Sequence, residues 1–120
     1  MSDNLQTFTR ALHTLRNVAV RVPADAWGND SCCAGWTARE VAGHASWVLQ
    51  SITATASGSP GPAQQPEAEV AGADPAATVC SSVDRCLAAL DRPDVLAKVS
   101  TTPFGEMPID DFLGAIWVDP

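Results

Sequence analysis

The strongest constraint on how this chain can fold lies between Cys33 and Ile52, CAGWTAREVAGHASWVLQSI, where a helix start can be read from side-chain chemistry alone. Thr37 is a good N-cap residue and Glu40 follows three positions later. Together they can form a capping box, each side chain accepting from a backbone N–H that the helix leaves without a partner. Trp36 and Val41 flank this start at the spacing of a hydrophobic staple. Beyond it, Val41, Ala45, Val48 and Ile52 recur at steps of three and four and predict one apolar stripe. His44 adjoins Ala45 on that stripe. An imidazole on an inward face needs a partner, and a backbone carbonyl, a carboxylate and a metal ion are the candidates.

Three more segments carry helical periodicity. Leu5, Phe8, Leu12, Leu15, Ala19 and Val22 predict a helix running to about Pro23, with Asp3 and Gln6 available to cap its start. His13 lies off the centre of that stripe and reads as a solvated flank residue. Asp74 before Pro75 is a cap followed by a first-turn proline. The helix it opens presents Ala76, Val79, Cys80, Val83, Cys86, Leu87 and Leu90 and ends at Arg92–Pro93. The last helix starts near Pro108, with Asp110 and Asp111 suited to its first turn and Ile109, Phe112, Leu113 and Ile116 on its inward stripe. Asp119 falls on that stripe as well and, like His44, calls for a partner.

Between these helices the chain changes character. Residues 58–73, GSPGPAQQPEAEVAGA, read as a flexible crossover loop at the surface. Val99 to Thr102 is a short β-prone piece before a turn at Gly105, and Glu106 reads as an exposed turn carboxylate. Cys32 and Cys33 lack the spacing of a zinc knuckle. Cys33 stands where a helix dipole could activate its thiol, although burial as a small apolar residue is the expected role. Cys80 and Cys86 sit on the core face, where packing accounts for them.

The 120 residues fit a single domain, 1–120, with one modest core. Hydrophobic residues form 46% and charged residues 18% of the chain, a balance that folds. The formal charge is −7 and Lys98 is the only lysine, which excludes nucleic acid and anionic membrane surfaces as partners. No run approaches the roughly 20 apolar residues of a membrane span. The first residues lack the basic start and apolar run of a signal peptide, so a cytoplasmic location with reduced cysteines is expected. Four amphipathic helices with one long crossover predict an all-α four-helix bundle. Metal sites in such bundles are built from inward side chains of facing helices.

The run Cys33-Ala34-Gly35-Trp36-Thr37-Ala38-Arg39-Glu40-Val41, followed by His44, resembles the opening signature of the mycothiol-dependent maleylpyruvate isomerase N-terminal family, a branch of the DinB-like bundles. Thr102-Pro103-Phe104-Gly105-Glu106-Met107-Pro108 is similar to that family's entry into its last core helix. The resemblance implies a DinB-like bundle holding a divalent metal, zinc first and nickel second, with His44 at the first ligand position. Asp119 matches the acidic ligand of the last helix. The family's remaining histidine would come four residues later, past Pro120, so the expected metal site has two ligands where a catalytic zinc site uses three. The implied chemistry is activation of a thiol, mycothiol or a relative, toward an electrophilic substrate in an isomerase or S-transferase reaction. The alternative is a non-catalytic bundle acting as a binding or interaction module. A last helix of at most thirteen residues, Pro108 to Pro120, leaves Leu5, Phe8, Ile52 or Leu90 without a facing partner. That predicts a homodimer or low stability.

Overall fold

Helices begin where side-chain oxygens meet the first free N–H groups. In the computed structural model, which describes residues 2–116, the Ser2 hydroxyl accepts from Leu5 N–H and opens α1 (Asp3–Ala19). The cap is thus Ser2, one residue ahead of the expected Asp3. Thr37 opens α2 (Ala38–Ser57) through the anticipated capping box: Glu40 N–H donates to Thr37 Oγ1 at 3.2 Å, and Thr37 N–H donates to Glu40 Oε1 at 3.1 Å. Gly58 closes this helix in the left-handed region, at φ 70°, where glycine carries no Cβ penalty. Asp74 caps α4 (Pro75–Leu90), its carboxylate accepting from Ala77 N–H.

Three short helices complete a mostly helical fold: α3 (Glu67–Ala71), α5 (Pro93–Leu96) and α6 (Ile109–Ala115). Between the last two, β1 (Val99–Thr102) and β2 (Gly105–Pro108) form an antiparallel hairpin with Thr102 opposite Gly105. Two of these elements differ from the sequence reading. The stretch 58–73 is not wholly irregular, because Glu67–Ala71 turns helical and Ala71 is fully buried. Pro93 does more than stop a helix: at the first position of α5 its missing N–H costs nothing.

The core joins Leu5, Phe8 and Leu12 of α1, Leu49 and Ile52 of α2, Val79, Val83, Cys86 and Leu90 of α4, and Ile109 and Leu113 of α6. α4 is central, packing against α1 on one side and α2 on the other. α6 packs on α1, where Ser2 Oγ donates to Asp110 Oδ1 at 2.5 Å and Asn4 Nδ2 donates to the Asp110 carbonyl at 3.1 Å. This docking, with α5 lying against α4, corrects the expectation of uncovered ends. Leu5, Phe8, Ile52 and Leu90 are all buried.

α2 is rotated relative to the sequence reading. Its buried residues are Ala42, Gly43, Ser46, Leu49, Ile52 and Ala56, while Val41, Ala45 and Val48 are only partly covered. Small side chains explain the difference. Ala42, Gly43 and Ser46 on this face let neighbouring backbones approach closely, so α3 and α4 pack there and leave Val41, Ala45 and Val48 to one side. Among the described residues, no helix is long and apolar enough to cross a membrane.

Candidate functional site

The apolar stripe of α2 forms one wall of a groove of about 750 Å³. Val41, Ala45, Val48 and Ile52 face into it, with the hairpin tip at Pro103–Phe104 and the α6 residues Ile109, Phe112 and Ile116 opposite. The rings of Phe104 and Phe112 stand 6.0 Å apart and tie the hairpin to α6. Trp36 and Trp47 add two indoles to the lining. A concave, mostly apolar cavity of this size with few polar groups is the form taken by small-molecule sites.

His44 lines this groove, with its side chain 49% exposed. The expected inward placement of His44 is therefore corrected: the rotation of α2 that buries Gly43 and Ser46 brings His44 to the rim. Two neighbours lie close to the ring. Trp36 meets it edge to face, with centroids 5.1 Å apart and planes at 64°. The staple position thus also supplies an aromatic support for the imidazole. Glu67 brings Oε1 to 3.9 Å from His44 Nδ1.

Glu67 was not visible as a site residue in the sequence, since it belongs to a stretch that reads as loop. What places it is a close backbone contact. A Cβ built on Gly43 would lie 2.6 Å from the carbonyl carbon of Glu67, so only glycine lets α3 sit this near α2. The rest of the crossing segment is tied down as well. Trp47 Nε1 donates to the Ala63 carbonyl at 3.3 Å, the Arg39 guanidinium donates to the Gly72 carbonyl, and Thr78 Oγ1 donates to the Ala71 carbonyl at 2.8 Å. Gly43 therefore carries a signal that could have been read: a glycine inside a strong helix marks a close approach.

The other candidates fall into place one by one. Asp119 lies outside the described residues. His13 and Glu106 are exposed, as expected. Cys33 is exposed and lines the groove, against the expectation of burial, because the turn at Gly35 (φ 84°) carries residues 32–35 out over the surface. Cys86 is fully buried, and burial pushes its thiol up to about 11 against a weaker opposing hydrogen bond from Thr53. That thiol is a packing residue and not a nucleophile at neutral pH.

Imidazole nitrogen and carboxylate oxygen are ordinary zinc donors, and His44 and Glu67 bring one of each to the groove rim. Among the described residues, however, no group of three or more His, Cys, Asp and Glu side chains could hold one. Compared with known proteins, the chain matches no family model, no curated protein and no solved structure.

Proposed function

We propose that the chain is a DinB-like four-helix bundle that binds a divalent metal at the rim of its groove and acts on thiols, as the resemblance to mycothiol-dependent isomerases and S-transferases implies. α1, α2, α4 and α6 are the four helices of this reading, and the segment holding α3 is the crossover. The observation that carries the proposal is the position of His44. It is the residue matching the family's first ligand, and it stands half-exposed beside a 750 Å³ apolar groove, not packed in the core.

In this reading His44 and Asp119 hold the ion, zinc before nickel. When bound, zinc supplies a Lewis acid that lowers the pKa of a coordinated thiol such as that of mycothiol. The protein's own part is to orient and to shelter. Trp36 supports the His44 ring edge to face, and the Glu67 carboxylate lies 3.9 Å from its Nδ1. Val48, Ile52, Phe104 and Phe112 cover the apolar part of an electrophilic substrate and displace water from it. The proposed setting is the cytoplasm, where exposed Cys32 and Cys33 stay reduced.

A second reading, a non-catalytic binding module, draws on the lack of a three-donor group among the described residues. Calorimetric titration with zinc chloride separates the two. The titration is done in a Cys32→Ser, Cys33→Ser background so that surface thiols do not compete. The metal reading expects a heat that disappears in His44→Ala and weakens in Asp119→Asn. No zinc heat in the parent, with an apolar dye still taken up by the groove, would favour the binding module.

A further inference from the structure

The lining of the apolar groove restricts the charge of its occupant. Charged residues make up 18% of the chain, yet among the described residues no Asp, Glu, Lys or Arg lines the groove. A carboxylate or ammonium group brought inside would give up water and meet no opposite charge, a cost that a neutral molecule escapes.

Hydrogen bonds do not make up for the missing charges. Free O–H and N–H groups can hold an anion without a cation, but four of those in the lining are committed to backbone carbonyls. Ser51 Oγ donates to the Trp47 carbonyl at 2.9 Å, and Thr55 Oγ1 to the Ser51 carbonyl at 3.0 Å. Thr102 Oγ1 donates to the Gly105 carbonyl at 2.7 Å, and Trp47 Nε1 to the Ala63 carbonyl at 3.3 Å. What the walls offer in abundance is ring surface. Trp36, Trp47, Phe104 and Phe112 all contribute to it, and a flat aromatic ligand gains edge and offset contacts with such rings beyond the area it buries. Phe104, at the hairpin tip, is 45% exposed and so has surface left for an occupant to cover.

We infer that the groove takes an uncharged aromatic molecule, its polar substituent toward His44 at the rim, and rejects dicarboxylates and diamines of the same shape. This names the substrate class of the proposed function and rests on the groove of that reading; no metal enters it.

The test uses the full chain with EDTA present and three probes on one skeleton: 2,6-bis(hydroxymethyl)naphthalene, naphthalene-2,6-dicarboxylate and 2,6-bis(aminomethyl)naphthalene. A substituent at each end leaves no orientation that keeps both charges at the mouth. Calorimetric titration at pH 8, with ligand-detected NMR for weak binding, should show the diol binding about tenfold or more tightly than either ion. Tenfold requires only about 1.4 kcal/mol of uncompensated desolvation. Phe104→Ala should weaken the diol by about tenfold. Val48→Arg, and Thr55→Arg at a second wall position, each checked for fold by circular dichroism, should bind the dicarboxylate more tightly than the parent does and the diol less. Dicarboxylate or diamine binding the parent as tightly as the diol would overturn the uncharged class and leave the groove standing as a ligand site. No binding of any probe would overturn the groove as a small-molecule site, and with it the substrate part of the proposed function, whose metal part is decided separately by the zinc titration.

Discussion

Replacing Gly43 by alanine tests how the site is built. A Cβ at this position would stand 2.6 Å from the Glu67 carbonyl carbon and 3.1 Å from its Cα, overlapping the carbonyl oxygen. Non-bonded heavy atoms rest at about 3.2–4.0 Å, and the overlap with the carbonyl oxygen is the deepest, so α3 must retreat by roughly 1.5 Å. Retreat is resisted by buried Ala71, by the Thr78 hydroxyl on the Ala71 carbonyl and by the Arg39 guanidinium on the Gly72 carbonyl. Overpacking of this kind costs about 1–3 kcal/mol. Against it stands the gain of up to about 1 kcal/mol from replacing glycine by alanine inside a helix. The net expectation is a loss of about 1–2 kcal/mol, or undocking of α3 at lower cost. Urea denaturation followed by tryptophan fluorescence measures the first outcome, and amide hydrogen exchange over residues 67–71 measures the second. A variant as stable as the parent, with α3 equally protected, would refute the argument that backbone contact at Gly43 holds Glu67 in place.

Other consequences are as direct. Thr37→Ala removes the acceptor for Glu40 N–H and should cost about 1 kcal/mol in chemical denaturation; an unchanged midpoint would count against the capping box. Cys86 has a folded-state pKa raised to about 11 from an ordinary value of 9.0, so the neutral thiol stabilises the fold fully below pH 9. That contribution, about 2–3 kcal/mol at most, should be lost as pH rises from 9 to 11, and Cys86→Ala should flatten the alkaline limb of the stability profile. Thiol labelling of the native chain should modify exposed Cys32 and Cys33 quickly, and Cys86 only on unfolding. Rapid native-state labelling of Cys86 would show that the α4 face is open.

Much of the helical framework was legible because caps and periodicity are local. Thr37 with Glu40, and Asp74 with Pro75, mark helix starts through groups within four residues of each other. The 20 and 16 residues of α2 and α4 follow from those marks and from the glycine or proline beyond each, whereas α1 starts from Ser2 and ends at Ala19, short of the expected Pro23. What was not legible depends on partners distant in sequence. Periodicity gave α2 an apolar stripe but not the side on which α4 packs. The choice fell to Gly43 and Ser46, whose small size carries little hydrophobic signal. That choice moved His44 from core to rim and turned Val41 and Val48 into a groove wall. Glu67 was hidden for a related reason: five helical residues among prolines and glycines have no period to detect, and α3 exists because α2 offers it a surface. The resemblance marked His44 as the residue to watch, whereas the neighbours that give it a role, Trp36 and Glu67, came from the packing.

His44 at the groove rim is proposed to hold a metal ion, and equilibrium dialysis shows whether it does. The chain in the Cys32→Ser, Cys33→Ser background, and the same chain with His44→Ala, are dialysed against micromolar zinc and their bound metal is measured. One zinc per parent chain at saturation is expected, with loss of that zinc in His44→Ala and both proteins folded by circular dichroism. Equal zinc in the two, or none in the parent, would contradict it.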